Sequence, residues 1–181
     1  LGNQLTDQNR EFAARYTFDL ESGYEVGDST VLIDASGVSA MDNTVVTSIE
    51  LDDRGSPSTG LTNVVVNGVQ NSVVIDAGNH LQSGSLDKGS SLIINTVNEA
   101  LGTLADTITV YTGTAQTTIN ALDADDTANI DAADMIDNKV LTLTGASTVN
   151  VTNLTADVTS TLVGALTVTL EDDAQANVVT T

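Results

Sequence analysis

The residues with the most chemical potential stand close together. Asp123, Asp125, Asp126, Asp131, Asp134 and Asp137 place six carboxylates within fifteen residues. Calcium takes about six to eight oxygen ligands, and Asp-x-Asp spacing lets two carboxylates point at one ion from a tight turn. The run predicts a divalent-cation site, calcium above all, drawn from Asp123, Asp125, Asp126, Asp131 and Asp134. It has neither the central Gly and terminal Glu of a helix-loop-helix calcium loop nor the Gly-Gly-x-Gly-x-Asp nonapeptide of a calcium-binding β-roll. The plain alternative is a solvated acidic turn, and Asp52-Asp53 and Glu171-Asp172-Asp173 read more readily that way.

Other chemistry is poorly supplied. His80 is the one histidine and sits in a Gly/Asn-rich loop, and there is no Cys, so thiol catalysis, thiolate zinc sites and disulfides are absent. The basic residues are Arg10, Arg15, Arg54, Lys88 and Lys139, against 25 acidic ones, for a net charge of -20. Nucleic-acid binding needs clustered Lys and Arg to neutralise phosphates, so the balance excludes it and implies a cationic partner. A lyase acting on acidic sugars would lack the cations that hold its substrate, and acid pairs are too common here to mark a hydrolase. With aromatics at 3 % and no Trp, stacking platforms for sugars or bases are scarce. No catalytic residue is assigned, and the chain reads as a non-enzyme. Asn150-Val-Thr152 and Asn153-Leu-Thr155 match the glycosylation triplet, as a Thr/Asn-rich chain does by chance.

The elements that must position the carboxylates are strands. From Leu141 to Leu170 aliphatics alternate with Thr or Asn, which is the period of strands with one face buried. Inward places fall to Leu141, Leu143, Val149, Val151, Leu166, Val168 and Leu170. Gly145, Asn153, Ala156-Asp157 and Gly164 interrupt the runs where the chain can turn. Strands starting at 141, 149, 158 and 166 recur every 8 or 9 residues. Two architectures fit, a parallel β-helix (β-solenoid) and a β-sandwich. Leu141-Thr-Leu-Thr returns as Leu166-Thr-Val-Thr after 25 residues, three strand-plus-turn units, which favours a three-faced solenoid coil.

Further strands are expected at Thr30–Gly37, Thr44–Leu51, Asn63–Asn67, Ser72–Ile75, Ser91–Asn95, Thr107–Tyr111 and Thr117–Asn120. Ile-Asp-Ala recurs at Ile33, Ile75 and Ile130, with Leu122-Asp123-Ala124 as a near relative, each setting an acid at a turn. Asp52 to Gly60, with the only proline, Pro57, and Ala77 to Ser90 read as projecting loops. Asn98–Leu104 and Asp131–Asp137 resemble single helical turns. Leu5 to Tyr16 predicts a short helix capped by Thr6, followed by a strand through Tyr16, Phe18 and Leu20. The organisation is then a non-repeat N-terminal cap or junction at 1–29 and an all-β solenoid at 30–181. The chain opens at Leu1 and reads as a mature chain or a piece of a longer one, and no apolar run is long enough for a transmembrane helix.

Ile33-Asp34-Ala35-Ser36-Gly37, Ile130-Asp131-Ala132 and the 141–170 strands, in an acidic chain without Cys, resemble the repeats of bacterial surface-layer and repeat-in-toxin-type secreted proteins. The resemblance spans roughly Val31 to Thr181. It implies a calcium-dependent β-solenoid segment, exported to the cell surface and self-assembling there into a lattice, filament or sheath. Its partners would be copies of itself, neighbouring domains of a longer chain, or cell-surface polysaccharide. The alternatives are a cell-surface adhesin or glycan-binding module and, more remotely, a β-helix carbohydrate-active enzyme.

Overall fold

The computed structural model describes residues 6–7, 10–19, 29–36, 46–52, 62–69, 73–78, 91–97, 105–135, 139–170 and 177–181. Every regular element among them is a strand. In chain order these are β1 (Thr6–Asp7), β2 (Arg10–Asp19), β3 (Ser29–Asp34), β4 (Val46–Asp52) and β5 (Thr62–Val69). Next come β6 (Val73–Asp76), β7 (Ser91–Thr96), β8 (Thr107–Tyr111), β9 (Gln116–Ala121) and β10 (Thr127–Asp131). The last five are β11 (Val140–Gly145), β12 (Thr148–Leu154), β13 (Asp157–Leu162), β14 (Leu166–Leu170) and β15 (Val178–Thr180).

Even-numbered strands stack in one sheet and odd-numbered strands in the other, in chain order, with β1 added antiparallel at the edge of β2. Every other pairing is parallel. The chain is a parallel β-solenoid in which each coil gives one strand to each sheet. The coil is thus two-faced, which corrects the three-faced expectation. Leu141 and Leu166, the pair behind that expectation, lie in opposite sheets, and Leu166 pairs with Val149 instead. The chain reverses at Gly145-Ala146-Ser147, where a three-sided coil would only bend.

Gly145 makes that reversal possible. Its φ of +112° is open to glycine, and a Cβ there would stand 1.8 Å from the carbonyl oxygen of Ala121 in the coil below. The backbone N–H groups of Ala146 and Ser147 donate to the same carbonyl at 2.8 and 3.2 Å. A Cβ on Gly164, one coil further, would stand 2.1 Å from the Ser147 carbonyl oxygen. Three successive turns therefore rest backbone on backbone.

Alternation decides what goes inside. Ile49, Ile75, Val110, Ile130 and Val151 pair strand to strand as one fully buried row, and Val66, Ile94, Ile119 and Leu143 form a row opposite. Each such side chain contributes about 1.5–3 kcal/mol of transfer free energy. On the outer face of the odd sheet the matching positions carry amides. Asn95 donates to Asn67 at 2.6 Å, Asn120 to Asn95 at 2.5 Å, and the Thr144 hydroxyl to Asn120 at 2.6 Å. This ladder repeats along the stack because parallel in-register pairing sets like residues one above another.

Several expectations change. Leu5 to Tyr16 is not helical, since its described residues form β1 and β2, and β2 pairs in parallel with β4. Parallel pairing therefore begins at β2, upstream of residue 30. Asp131 to Met135, the described part of the second expected helical turn, is strand end and turn, while Asn98–Leu104 and His80 lie outside the described residues. Of the expected inward residues, Leu141, Leu143, Val149 and Val151 are buried, Leu166 and Val168 are half-buried, and Leu170 is exposed. The last three belong to β14, which among the described strands pairs with β12 alone.

Position in the stack should therefore set the cost of truncation. Leu143→Ala, between two coils, is expected to cost about 2–5 kcal/mol, whereas Leu170→Ala should stay within about 0.5 kcal/mol. Urea unfolding of the two variants measures this, and equal losses would contradict the described burial.

Candidate functional site

In each Ile-Asp-Ala triplet the isoleucine is the last core-facing residue of a strand, the aspartate ends that strand, and the alanine after it is buried. The aspartate between them folds back on its own backbone. Asp34 Oδ1 accepts the N–H of Ser36 at 3.0 Å, Asp76 Oδ1 that of Gly78 at 3.0 Å, and Asp131 Oδ1 that of Ala133 at 3.2 Å. These are Asx turns, in which a carboxylate supplies the hydrogen bond that stops the strand. Leu122-Asp123-Ala124 has the same bond, Asp123 Oδ1 to the Asp125 N–H at 3.1 Å, but the opposite facing: Asp123 is buried while Leu122 and Ala124 are exposed.

The five proposed calcium ligands divide between two places. Asp123, Asp125 and Asp126 lie in the β9–β10 turn, whereas Asp131 is the last residue of β10 and Asp134 lies in the turn after it. Five steps of extended chain, about 16 Å, separate Asp126 from Asp131. Within the first turn, Asp126 Oδ1 accepts the backbone N–H of Asp106 at 2.8 Å, and the Asp126 carbonyl accepts the N–H of Thr148 at 3.0 Å. The carbonyl of Asp123 accepts the hydroxyl of Ser147. Asp125 is exposed. At the other end Asp131 Oδ1 also accepts the side-chain amide of Asn153 at 3.1 Å. Asn153 has a φ of 54° beside the break in the β12–β14 register. Among the described residues, no group of three or more His, Cys, Asp or Glu is placed to hold a metal ion.

One pair was not foreseen. Glu50 and Asp76 are direct neighbours on β4 and β6, and both are buried, with Ser48 donating to Glu50 Oε1 at 3.3 Å. Their phase in the alternation is the outward one, which in the sequence signals solvent. Carboxylates on adjacent strands invite comparison with the acid pair of a retaining glycosidase. At 1 % and 0 % exposure, however, Glu50 and Asp76 offer a sugar no approach, and both have partners within the protein.

Comparison of the chain with models of known families, with curated proteins and with solved structures finds no match. What the geometry establishes by itself is a parallel solenoid in which Asp34, Asp76 and Asp131 end strands and Asp126 and Asp131 also tie neighbouring coils together.

Cap and ligand roles respond differently to substitution. Asn keeps the Oδ1 acceptor and removes the charge, so Asp131→Asn should change stability by no more than about 0.5 kcal/mol, while Asp131→Ala loses two hydrogen bonds and about 1–2 kcal/mol. Thermal unfolding of both variants with calcium and with chelator is the check. A loss on Asp131→Asn that appears only with calcium would show that the charge, and not the acceptor, is what matters.

Asp34 gives a pH signature. The hydroxyl and then the backbone N–H of Ser36 donate to its carboxylate and hold its pKa below the usual carboxylate range. A depressed folded value means that the bond favours the folded state above the unfolded pKa of about 3.9 and that this contribution is lost as pH falls through the lower, folded value. An NMR titration of the Asp34 carboxyl carbon should give a midpoint below that of the unfolded chain, and Ser36→Ala should move it upward.

Proposed function

We propose that this chain is a non-enzymatic structural protein of the bacterial cell exterior, a solenoid segment that assembles with copies of itself or with neighbouring domains into a surface layer, filament or sheath. The observation that carries the reading is the use made of polar residues. On described strands Asn, Thr and Ser side chains form ladders that tie coil to coil, and after four described strands an aspartate accepts a backbone N–H two residues further on. This is how a stack of coils is stabilised, and it gathers no groups around a reacting centre. Calcium belongs to the proposal as an ion that bridges exposed carboxylates of neighbouring copies, since a chain of -20 repels its like.

Light scattering and electron microscopy of the purified chain in chelator, in sodium chloride, and in calcium at matched ionic strength test this. Ordered particles that grow with protein concentration are expected, with calcium more effective than sodium. Equal effects of the two salts would reduce calcium to screening. New reducing or unsaturated ends on incubation with polysaccharides would replace the structural reading with an enzymatic one.

A further inference from the structure

The odd sheet turns an uncharged and regular face outward. On β9, β11 and β13 one outward column holds Thr118, Thr142 and Thr159, and the column beside it holds Asn120, Thr144 and Thr161. β7 and β5 continue both columns with aliphatic and amide side chains, again without a charge. None of these positions is buried, in a chain whose net charge is -20. The outer face of the even sheet differs. Its columns include Glu50, Asp76 and Asp131, and its Ser48, Glu50, Val74 and Asp76 are buried.

Two spacings on this face are fixed by the fold. Neighbouring coils stand about 4.8 Å apart, and positions two residues apart on a parallel strand about 6.6 Å. Pairing in register repeats both, so the threonine hydroxyl and methyl groups form a rectangular net. Threonine is stiff at its first side-chain torsion. The hydrogen bonds from Thr144 to Asn120 and from Asn120 to Asn95 hold the second column as well. Such a net is preorganised, and little rotamer freedom remains to be lost when a ligand settles on it.

We propose that this face binds ice, its ligand being the water lattice at a crystal surface. Rows of oxygen atoms on a prism face of hexagonal ice repeat at nearly these two distances, so threonine hydroxyls stand where lattice waters would and the methyl groups lie between them. Charge points to the same occupant. Ice carries none, and the net has no charged group to impose a hydration shell of its own, whereas a cationic partner would meet the aspartates at the turns. A crystalline sugar surface is a poorer match, because these columns offer no aromatic ring to stack on it. A second copy is poorer too, since ten side chains over five strands fall short of the about 20–30 residues a side of a stable protein interface. Ice binding goes beyond the assembly proposed above and does not depend on it.

The test is ice growth in dilute solutions of the full chain, followed by nanolitre osmometry and by the shape of single crystals. The parent chain is expected to facet the crystal and to open a gap between melting and freezing temperatures that an inert protein at the same concentration does not open. Thr142→Lys and Thr159→Lys each raise a charged side chain out of the net and should abolish both effects. Thr167→Lys makes the same change at an exposed outward position of the even sheet and should leave both intact. Thr142→Ser removes one methyl group and should narrow the gap, so the proposal stays testable where the Lys variant at that half-buried position fails to fold. Circular dichroism of each variant decides that point. A parent chain that neither facets ice nor opens a gap overturns the inference, and so does an equal loss from Thr167→Lys. Retention of the parent chain on crystalline cellulose or chitin, with no effect on ice, would overturn it in favour of a glycan. None of these outcomes bears on self-assembly, which light scattering reads separately.

Discussion

The fold depends on one constraint, the pairing of backbone groups between coils. A strand here has no hydrogen-bonding partner within its own coil, because the other strand of that coil belongs to the other sheet. Its N–H and C=O groups are satisfied only by the coil before and the coil after, and a buried polar group left unpaired costs about as much as a lost hydrogen bond. No coil is stable alone, so stability belongs to the stack. The remaining features maintain this register. Apolar rows fill the centre, amide ladders repeat on the outside, and the Gly145 and Gly164 turns let backbone rest on backbone.

Register is kept while coil length is not. Val149 and Leu166, paired neighbours, are 17 residues apart in the chain, whereas the paired Val74 and Thr109 are 35 apart. The extra residues enter between strands. The entropy of closing a loop rises only slowly with its length, and the strands at its base still find the same partners. This explains why Ile-Asp-Ala recurs at irregular intervals: the triplet marks the end of a strand, where pairing demands it, and the interval measures only what lies between.

Much of this was legible in the chain. The strands between Leu141 and Leu170 and the faces of Leu141, Leu143, Val149 and Val151 follow from alternation, because the side-chain period of a strand is independent of what the strand pairs with. The number of faces per coil was not legible, since strand and turn lengths are alike in two-sided and three-sided coils and the difference lies in how sharply the turns, such as that at Gly145, reverse the chain. The N-terminal strand was hidden for another reason. Phe12 and Tyr16, four apart, fit both a helix face and a strand face, and Thr6 suits a helix cap as well as a strand. At the acidic turns the ambiguity is chemical. The oxygens of a carboxylate accept a backbone N–H as readily as they bind a cation, so the sequence does not tell the two uses apart, and in the fold Asp123, Asp126 and Asp131 each accept a backbone N–H, from Asp125, Asp106 and Ala133.

Charge and edges then act against each other. A parallel sheet that ends in an open edge is a template for any strand that meets it, and natural β proteins commonly protect such edges with charge. This chain distributes its acids along the solenoid, while the last described strands of the two sheets, Leu166–Leu170 and Val178–Thr180, carry aliphatics and threonines only. Repulsion is long in range and weakened by salt, whereas apolar contact and backbone pairing act only at contact and in register. Within the solenoid the short-range terms decide, because in-register pairing and apolar rows bring neighbouring coils together at contact distance, where a diffuse and screened repulsion between acids is the smaller effect.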